Sequence, residues 1–296
     1  MQPFNYYRPK SFEEAFQWLT KSDHIAVPVA GATDLIPQMR DGVLGPDIVV
    51  DIKALPGMRE LRVVDSAPCC LDGTQCLSVG AAVRMNELAR SELVKSGWSL
   101  LAMAAASMGN EQVRNRATIG GNICTASPAA DSAPALYALD AMVLIKGPSM
   151  DRCVPIAAFF TGPKRNALQP GEIVAGLCIP RPPEEAVSHF EKLSRRKAGD
   201  LSIVSVAVMA LPLGNATAWR IALGAVGPTP IRALESEGIL SQGWDDESID
   251  RAAASAYGCC CPIGDIRSGL EYRQAMVVNL TRRAIRAVLA QLPATA

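Results

Sequence analysis

A cluster of three prolines, Pro180, Pro182 and Pro183, divides the chain into two parts with different hydrophobic patterns. Proline cannot donate a backbone hydrogen bond and fixes φ, so such a cluster ends a strand and is typical of a boundary between folding units. Before it, apolar segments alternate with helical ones, which predicts an α/β unit. After it, period-two segments precede helical ones, which predicts an antiparallel sheet with helices. The chain's 296 residues suffice for two such units, or for three small ones.

Local signals place the first and last elements. Ser11 followed by Glu14 is a capping box, which predicts a helix from about residue 12 to 20. Apolar segments at 25–31, 47–52 and 61–64 predict three short strands. The tail predicts two helices, at 245–257 and 271–292.

Composition excludes several classes of protein. The formal net charge is zero, so the chain lacks the basic character of nucleic-acid-binding proteins. The longest apolar runs, such as "IVSVAVMALPL" from Ile203, are too short to span a bilayer. The first ten residues contain no apolar segment of a secretory signal, and a cytoplasmic location is therefore the default expectation.

Nine cysteines are many for this length, but their spacing does not indicate a metal site. No two of them form a CxxC motif, and an odd number without a secretory signal argues against a disulfide framework. We therefore expect reduced, mostly buried residues that pack as small apolar side chains. The run Cys259 to Cys261 is the exception to watch, as a redox or interface feature. The cysteines are Cys69, Cys70, Cys76, Cys124, Cys153, Cys178, Cys259, Cys260 and Cys261.

The segment from Val27 to Met39 is the first candidate binding site. A strand followed by "AGATD" exposes successive backbone N–H groups, which can form an anion-binding nest for phosphate. The alternative is a simple turn between a strand and a loop. The segment is neither GxGxxG nor a P-loop, so the sequence does not predict a Rossmann or Walker site.

The second candidate is the segment from Thr118 to Ala141. Its paired glycines permit close backbone approach to a ligand, and Asn122 both donates and accepts hydrogen bonds. Asp131 fits two roles equally: a helix N-cap with proline in the first turn, or an acid that accepts hydrogen bonds from the ribityl hydroxyls of a flavin.

The third candidate is the charged run from Phe190 to Ser202. Such a run is usually a solvated face, although Lys192 or Asp200 could instead lie beside a redox ring and tune its electronics. The chain has two histidines, His24 and His189, and neither GxSxG nor HExxH. The sequence therefore indicates a protein that holds a cofactor and predicts neither a catalytic side chain nor a metal site.

Together these motifs resemble the FAD-binding subunit of the molybdenum hydroxylases, the xanthine dehydrogenase and carbon monoxide dehydrogenase type. The resemblance rests on "AGATDL" and, about eighty residues later, "QVRNRATIGGNICTASPAADSAPALYALDA". "FNYYRPKSFEEA", "FFTGP", "EIV" and "GAVGPTPIRA" extend it over nearly the whole chain. It implies an α+β protein with an FAD-binding fold of the vanillyl-alcohol-oxidase type. The implied FAD-binding domain covers 1–180, as two α/β subdomains of about 1–55 and 56–180. A C-terminal domain with a small antiparallel sheet and helices covers 184–292.

The resemblance also assigns the cofactor contacts. The first loop is implied to hold the pyrophosphate, and the second to lie along the diphosphate and ribityl chain. Three weaker transfers are Lys192 near the flavin ring, Val174 on the adenine side and Met108 as a flanking residue. Relatives usually have "AGGTD", so Ala32 replaces a glycine, at a cost of about 1 kcal/mol or more where φ is positive. The implied FAD contacts are Val27, Pro28, Val29, Ala30, Gly31, Ala32, Thr33, Asp34, Leu35, Met108, Thr118, Ile119, Gly120, Gly121, Asn122, Asp131, Val174 and Lys192.

The function implied is electron transfer within a complex. A molybdenum-cofactor large subunit would oxidise the substrate, and a small subunit with [2Fe–2S] clusters would pass the electrons to FAD on this chain. NAD⁺ or another acceptor would then receive them. No inserted cysteine-rich loop for an extra iron–sulfur cluster is present, so FAD is the expected cofactor. The alternatives are a stand-alone flavin oxidase or dehydrogenase of related fold, and a non-catalytic scaffold subunit. The substrate would be set by another subunit.

Overall fold

The computed structural model describes residues 1–65, 75–214 and 216–292, and Cys69 and Cys70 lie outside these ranges. The strands are β1 (Asn5–Tyr7), β2 (Ala26–Val29), β3 (Ile48–Asp51), β4 (Leu61–Val64), β5 (Cys76–Gly80), β6 (Met142–Lys146), β7 (Arg152–Pro155), β8 (Phe160–Gly162), β9 (Arg165–Asn166), β10 (Ile173–Pro180), β11 (Val187–Leu193), β12 (Val204–Leu213), β13 (Ala216–Gly224) and β14 (Ile231–Arg232). The helices are α1 (Phe12–Leu19), α2 (Leu35–Arg40), α3 (Met85–Arg90), α4 (Glu92–Gly97), α5 (Ser99–Ser107), α6 (Glu111–Arg114), α7 (Ile119–Cys124), α8 (Ser132–Ala138), α9 (Ile156–Phe159), α10 (Leu234–Gln242), α11 (Asp246–Gly258) and α12 (Leu270–Leu289). A 3₁₀ turn covers Ile52–Ala54.

The N-terminal unit is a parallel three-stranded sheet in the order β1-β3-β2. Helix α1 begins where the sequence predicts, because the Ser11 hydroxyl accepts from the backbone N–H of Glu14 at 3.2 Å. Strand β3 is buried along its whole length, which explains its continuous apolar run. Strand β2 is an edge strand of this sheet, and the first candidate loop begins at its carboxyl end.

The second unit is an antiparallel five-stranded sheet in the order β4-β5-β10-β6-β7, with α3 to α9 connecting or covering its strands. Strand β10 lies at its centre and is interrupted by a bulge between Val174 and Gly176. Gly176 is required there, since a Cβ would lie 2.5 Å from the carbonyl oxygen of Val79 on β5. The bulge places Val174 beside the loop that follows β2.

The C-terminal unit is an antiparallel sheet in the order β11-β12-β13-β14. The predicted antiparallel strands are confirmed. On β12, however, successive side chains point to two faces that are both buried. Val204, Val206 and Val208 pack on the core formed with α11 and α12, and Ala207 and Met209 pack on the core of the N-terminal units. Both faces of this sheet are covered, so the C-terminal unit is joined to the rest of the chain through a shared apolar core.

Two further expectations have outcomes here. Cys76 is disulfide-bonded, so the expectation of reduced cysteines is wrong for that residue. No helix in the described ranges is long and apolar enough to cross a membrane.

The chain passes from the first sheet to the second between Ala54 and Leu61, and from the second to the C-terminal sheet between Pro180 and Val187. These positions support, as a proposal, the domains 1–180, with subdomains of about 1–55 and 56–180, and 184–292.

Candidate functional site

The two candidate loops meet at one cavity of about 310 Å³, between the carboxyl end of β2 and the first turn of α7. The residues that line it are Pro28, Val29, Ala30, Gly31, Ala32, Thr33, Asp34, Leu35, Gln38, Met108, Ala117, Thr118, Gly121, Asn122, Cys124, Thr125 and Lys164. The chain separates these loops by about eighty residues, and the fold brings them together.

The first loop presents unpaired backbone donors to this cavity. Among the described residues, the N–H groups of residues 31–35 donate to no protein group, whereas Ile36 already bonds back to the carbonyl of Ala32 at 3.1 Å. Gly31 fixes the position of the loop, because a Cβ there would lie 2.4 Å from the carbonyl oxygen of Arg116. Five consecutive free donors at the start of a helix form an anion-binding nest.

Ala32 adopts φ 65°, the conformation that glycine favours. The substitution noted in the sequence therefore does carry backbone strain, of about 1–2 kcal/mol. The left-handed residue turns the chain sharply between N–H groups that have no protein acceptor among the described residues. The nest geometry is retained in spite of the missing glycine.

The second loop differs from the first, because its backbone donors are already used. The N–H of Ile119 bonds to Val83 O at 3.0 Å, that of Gly120 to Ala81 O at 2.9 Å, and that of Gly121 to Thr118 Oγ1 at 3.1 Å. Thr118 is the N-cap of α7. This loop thus supplies a close surface and side chains, rather than backbone N–H groups.

The paired glycines have different surroundings. A Cβ on Gly120 would lie 2.5 Å from the Ala81 Cβ, so this glycine lets α7 pack against the turn after β5. A Cβ on Gly121 would meet only the Thr118 hydroxyl, at 3.0 Å, and its open side faces the cavity. Gly120 therefore serves the packing of α7, and Gly121 keeps the cavity open.

Asn122 is held with its amide group available. Its Oδ1 accepts from the Ser132 hydroxyl at 2.6 Å. Its Nδ2 donates to no protein group among the described residues, and the side chain lines the cavity. The sequence indicated that Asn122 can both donate and accept hydrogen bonds. In the structure its Oδ1 already accepts from Ser132, whereas its Nδ2 has no protein acceptor among the described residues.

Val174 belongs to a smaller cavity of about 110 Å³ that shares a wall with the larger one. The shared residues are Pro28, Ala30, Gly121 and Cys124, and Gly120 and Val174 complete part of the apolar lining. A contiguous pair of spaces, one with free donors and one apolar, suits a ligand with a phosphate group and a flat ring.

Asp131 and Lys192 lie together, and neither is among the residues that line these two cavities. Lys192 Nζ is 2.9 Å from Asp131 Oδ2 and 3.0 Å from the carbonyl oxygen of Ser107, and the Ser202 hydroxyl donates to Asp131 Oδ1 at 2.6 Å. Burial raises the pKa of Asp131, although the Lys192 ammonium and the Ser202 hydrogen bond oppose the shift. Asp131 occupies the N-cap position of α8, as the first alternative predicts, but its side chain makes no cap hydrogen bond and pairs with Lys192 instead.

The remaining candidates are two packing residues and one member of an exposed ion pair. Val27 packs in the small core around Val29, and Ile119 is fully buried. Asp200 forms an ion pair with the exposed Arg196 at 2.7 Å, in agreement with a solvated face. Val27, Ile119, Asp131 and Lys192 line neither cavity, and all of the assignments as cofactor contacts stay predictions.

Sequence reasoning missed five lining residues: Gln38, Ala117, Cys124, Thr125 and Lys164. Cys124 and Thr125 follow Gly121 by three and four residues, so helical spacing could have found them. Lys164 comes from the β8–β9 hairpin and carried no local signal. Its backbone N–H bonds to Ala126 O at 2.8 Å, and its ammonium has no ion-pair partner among the described residues. It is the one lysine or arginine in the lining of the larger cavity.

Comparisons with known proteins identify the relatives of this chain. A sequence profile for the FAD binding domain in molybdopterin dehydrogenase matches residues 2–182, and one for the CO dehydrogenase flavoprotein C-terminal domain matches residues 188–288. The carbon monoxide dehydrogenase medium chain of Hydrogenophaga pseudoflava is 32% identical over 97% of this chain and 98% of its own. The xanthine dehydrogenase FAD-binding subunit of Escherichia coli O157:H7 is 30% identical over 95% and 94%. The solved carbon monoxide dehydrogenase from H. pseudoflava that lacks the Mo-pyranopterin moiety superposes with a TM-score of 0.90, at 32% identity, over 99% of this chain and 100% of that one.

Proposed function

The chain belongs to the family of FAD-binding medium subunits of the molybdenum hydroxylases, and from this premise we propose that it transfers electrons within such a complex. As a member of the family it is an FAD-binding oxidoreductase subunit. The finer proposal is that FAD receives electrons from [2Fe–2S] clusters of a partner subunit and delivers them to NAD⁺ or another acceptor. The partners would be that subunit and a molybdenum-cofactor large subunit, in the cytoplasm.

One observation carries the assignment of the binding site: residues 31–35, whose five backbone N–H groups donate to no protein group among the described residues, line the cavity beside α7. A diphosphate carries negative charge and needs donors from a preformed backbone, which this loop has. The Asn122 amide supplies a further donor, and the small apolar cavity beside Val174 suits the adenine. The residues present therefore fit FAD.

When bound, FAD accepts electrons singly and releases them as a pair. The contribution of this chain is to bind and orient it: the nest holds the diphosphate, Gly121 leaves space for close approach, and Thr118 fixes the first turn of α7. None of these roles moves a proton.

The proposed function is tested by purifying the chain with its partner subunits and reducing the iron–sulfur clusters in the absence of oxygen. We expect the absorption band of oxidised flavin to bleach after the clusters are reduced, and to recover when NAD⁺ or a competing acceptor is added. The matched control is the same complex with the Gly121→Val subunit, in which the clusters should still be reduced and the flavin band should be missing.

Two results would contradict the proposal. The first is a chain that carries FAD but never purifies with an iron–sulfur subunit, and that oxidises a small substrate by itself. The second is a complex in which the clusters are reduced while the flavin stays oxidised over many turnovers.

Lys164→Met should weaken FAD binding by about 3- to 10-fold, equivalent to roughly 0.7–1.4 kcal/mol. Lys164 is the one cation in the lining of the larger cavity, so it is placed to offset the charge of the diphosphate. Because the side chain is exposed, the effect should be strongest at low salt and shrink as ionic strength rises. Fluorescence titration of the apoprotein with FAD at several salt concentrations measures this.

Lys164→Arg is the matched control, since it keeps the charge on the same hairpin. It should retain affinity within about twofold, or roughly 0.4 kcal/mol. If Lys164→Met and Lys164→Arg weaken binding equally at every salt concentration, the charge of Lys164 does not contribute.

A further inference from the structure

The side chain of Asn122 is held by a serine that lines neither of the two cavities. Ser132 donates its hydroxyl proton to Asn122 Oδ1 at 2.6 Å, from a position ten residues further along the chain. Asn122 lines the larger cavity, whereas Ser132 is fully buried. The hydrogen bond therefore joins the wall of the candidate FAD site to the interior of the protein.

The two ends of the Asn122 amide have opposite hydrogen-bonding characters. Oδ1 only accepts and Nδ2 only donates, and the two atoms diverge from one carbon. Because Oδ1 is bonded to Ser132, Nδ2 is directed away from that serine, and it donates to no protein group among the described residues. The end of the side chain that is left for a ligand is the donor, which suits a negatively charged diphosphate.

The burial of Ser132 makes the reversed amide unfavourable. With the amide reversed, Nδ2 would donate to the Ser132 oxygen, and the hydroxyl proton would lose the acceptor that it has in the structure. Solvent cannot replace that acceptor, because Ser132 is 0% exposed. A buried donor without an acceptor lowers the population of the reversed amide by about 5- to 150-fold, equivalent to roughly 1–3 kcal/mol. Ser132 therefore selects the orientation in which Asn122 keeps its donor free.

Helix α8, which begins at Ser132, is held at both ends by the C-terminal unit. Before its first residue, Asp131 forms the ion pair with Lys192 on β11. At its other end, the guanidinium of Arg220 on β13 donates to the carbonyl oxygen of Ala138 at 3.0 Å. All seven residues of the helix are buried. Ser132 thus has a fixed position from which it can hold a side chain of the site.

We propose that Ser132 is a positioning residue of the FAD site, which orients the Asn122 amide so that its Nδ2 donates to the diphosphate. This role rests on the proposed function, since the diphosphate of FAD is the group that Nδ2 would meet. Ser132 acts through Asn122 and not by a contact of its own with the cofactor. The packing of α8 does not explain the hydroxyl, because an alanine would fill nearly the same space.

The expected effect is one of preorganisation. Without the Ser132 hydroxyl, the Asn122 side chain distributes over several rotamers, and the apparent Kd for FAD rises by the inverse of the fraction that is ready to bind. Ordering one such side chain costs about 3- to 10-fold in affinity, so Ser132→Ala should weaken FAD binding by about that factor. Asn122→Ala removes the donor itself and should weaken binding by about 10- to 100-fold.

The experiment is a double-mutant cycle of Ser132→Ala and Asn122→Ala in the full chain, with the Kd for FAD measured by fluorescence titration of the apoprotein. Once residue 122 is alanine, Ser132→Ala should change the Kd by less than about twofold. Ser236→Ala is the matched control, because Ser236 is 1% exposed and its hydroxyl donates to the carbonyl oxygen of Ala252 at 2.8 Å in the C-terminal unit. Both serine variants should lower the melting temperature, and only Ser132→Ala should change the Kd.

A second measurement needs no FAD. In apoprotein with ¹⁵N-labelled asparagine, the side-chain amide signal of Asn122 is assigned by its loss in Asn122→Ala. This amide should be rigid on the picosecond-to-nanosecond timescale in the wild type and mobile in Ser132→Ala. Ser236→Ala should leave it rigid, since a general loss of stability does not release one side chain.

Two results would overturn the positioning role alone. The first is an equal effect of Ser132→Ala on the Kd with and without the Asn122 amide. The second is a mobile Asn122 amide in the wild-type apoprotein, and this test needs no variant. Failure of the proposed site is distinguishable, because a wild-type chain that binds no FAD, or full affinity in Asn122→Ala, contradicts the binding site together with the role of Ser132.

Discussion

Replacing Gly121 by valine should remove FAD from the protein while leaving the fold in place. The open side of Gly121 faces the cavity, and the nearest atom to an added Cβ is the Thr118 hydroxyl, at 3.0 Å. The valine methyl groups would therefore occupy space that the ligand needs, rather than space that the protein fills. Overpacking of this kind costs about 1–3 kcal/mol, which corresponds to roughly 5- to 150-fold in the Kd for FAD.

The neighbouring glycine provides the control. Gly120→Ala adds one carbon, but places it 2.5 Å from the Ala81 Cβ and 2.8 Å from the Ala81 carbonyl oxygen. Helix α7 must then move away from the turn after β5, and the hydrogen bond from Gly120 to Ala81 lengthens. We expect a loss of about 1–3 kcal/mol in the free energy of unfolding of the apoprotein.

The measurement compares both variants in two assays: thermal or denaturant unfolding of the apoprotein, and titration with FAD. Gly121→Val should fail the second assay and nearly match the wild type in the first. Gly120→Ala should be the less stable of the two. Tight FAD binding by Gly121→Val would show that the cofactor lies elsewhere, and the nest assignment would then have to be abandoned.

The sequence predicted the binding loops better than it predicted their roles. "AGATDL" indicated a nest because short-range geometry determines which N–H groups are free, and the structure has that pattern at residues 31–35. The paired glycines indicated close approach, but only Gly121 lines the larger cavity, whereas Gly120 lines the smaller one and packs against Ala81. Which one does depends on the partner of α7, a turn some forty residues earlier that local patterns cannot identify.

Long-range contacts set the remaining limits. Lys164 reaches the cavity from a two-stranded hairpin, and nothing in "GPKRN" distinguishes it from a surface lysine. The alternation of side chains on β12 predicted a strand but did not show what covers each face. An antiparallel strand that is buried on both faces has no polar side from which its orientation could be read. Asp131 and Lys192, assigned independently to the flavin, are bonded to one another across sixty residues.

That pair carries the second large expected effect. Lys192→Met should lower the free energy of unfolding of the apoprotein by about 3–5 kcal/mol at neutral pH, because it leaves a buried carboxylate without its counter-ion. Asp131 is 3% exposed, and Ser202 is its other hydrogen-bond donor. The exposed pair Lys95 and Glu92, 2.8 Å apart, is the matched control, and Lys95→Met should cost at most about 1 kcal/mol.

The pH dependence of this stability loss tests whether the unpaired Asp131 carboxylate causes it. Burial already raises the pKa of Asp131, and Lys192 is the largest opposing influence, so Lys192→Met should raise that pKa further. A carboxyl group whose pKa is higher in the folded state contributes stability at low pH that is lost as the pH rises from its unfolded value, near 4, through its folded value. The deficit of Lys192→Met should therefore be smaller at pH 5 than at pH 7, and Asp131→Asn in the same chain should remove most of this difference.

These unfolding measurements are made without FAD, which separates two roles for the pair. Asp131 precedes α8 and Lys192 lies on β11, so the ion pair joins the FAD-binding part of the chain to the C-terminal sheet. If it acts mainly as this link, Lys192→Met destabilises the apoprotein and weakens FAD binding only as a consequence. If Lys192→Met leaves the apoprotein unaffected and changes only the spectrum and affinity of the bound flavin, the lysine serves the cofactor and its contact with Asp131 is incidental. The second result would contradict the buried-pair argument, because a desolvated carboxylate cannot lose its counter-ion without cost.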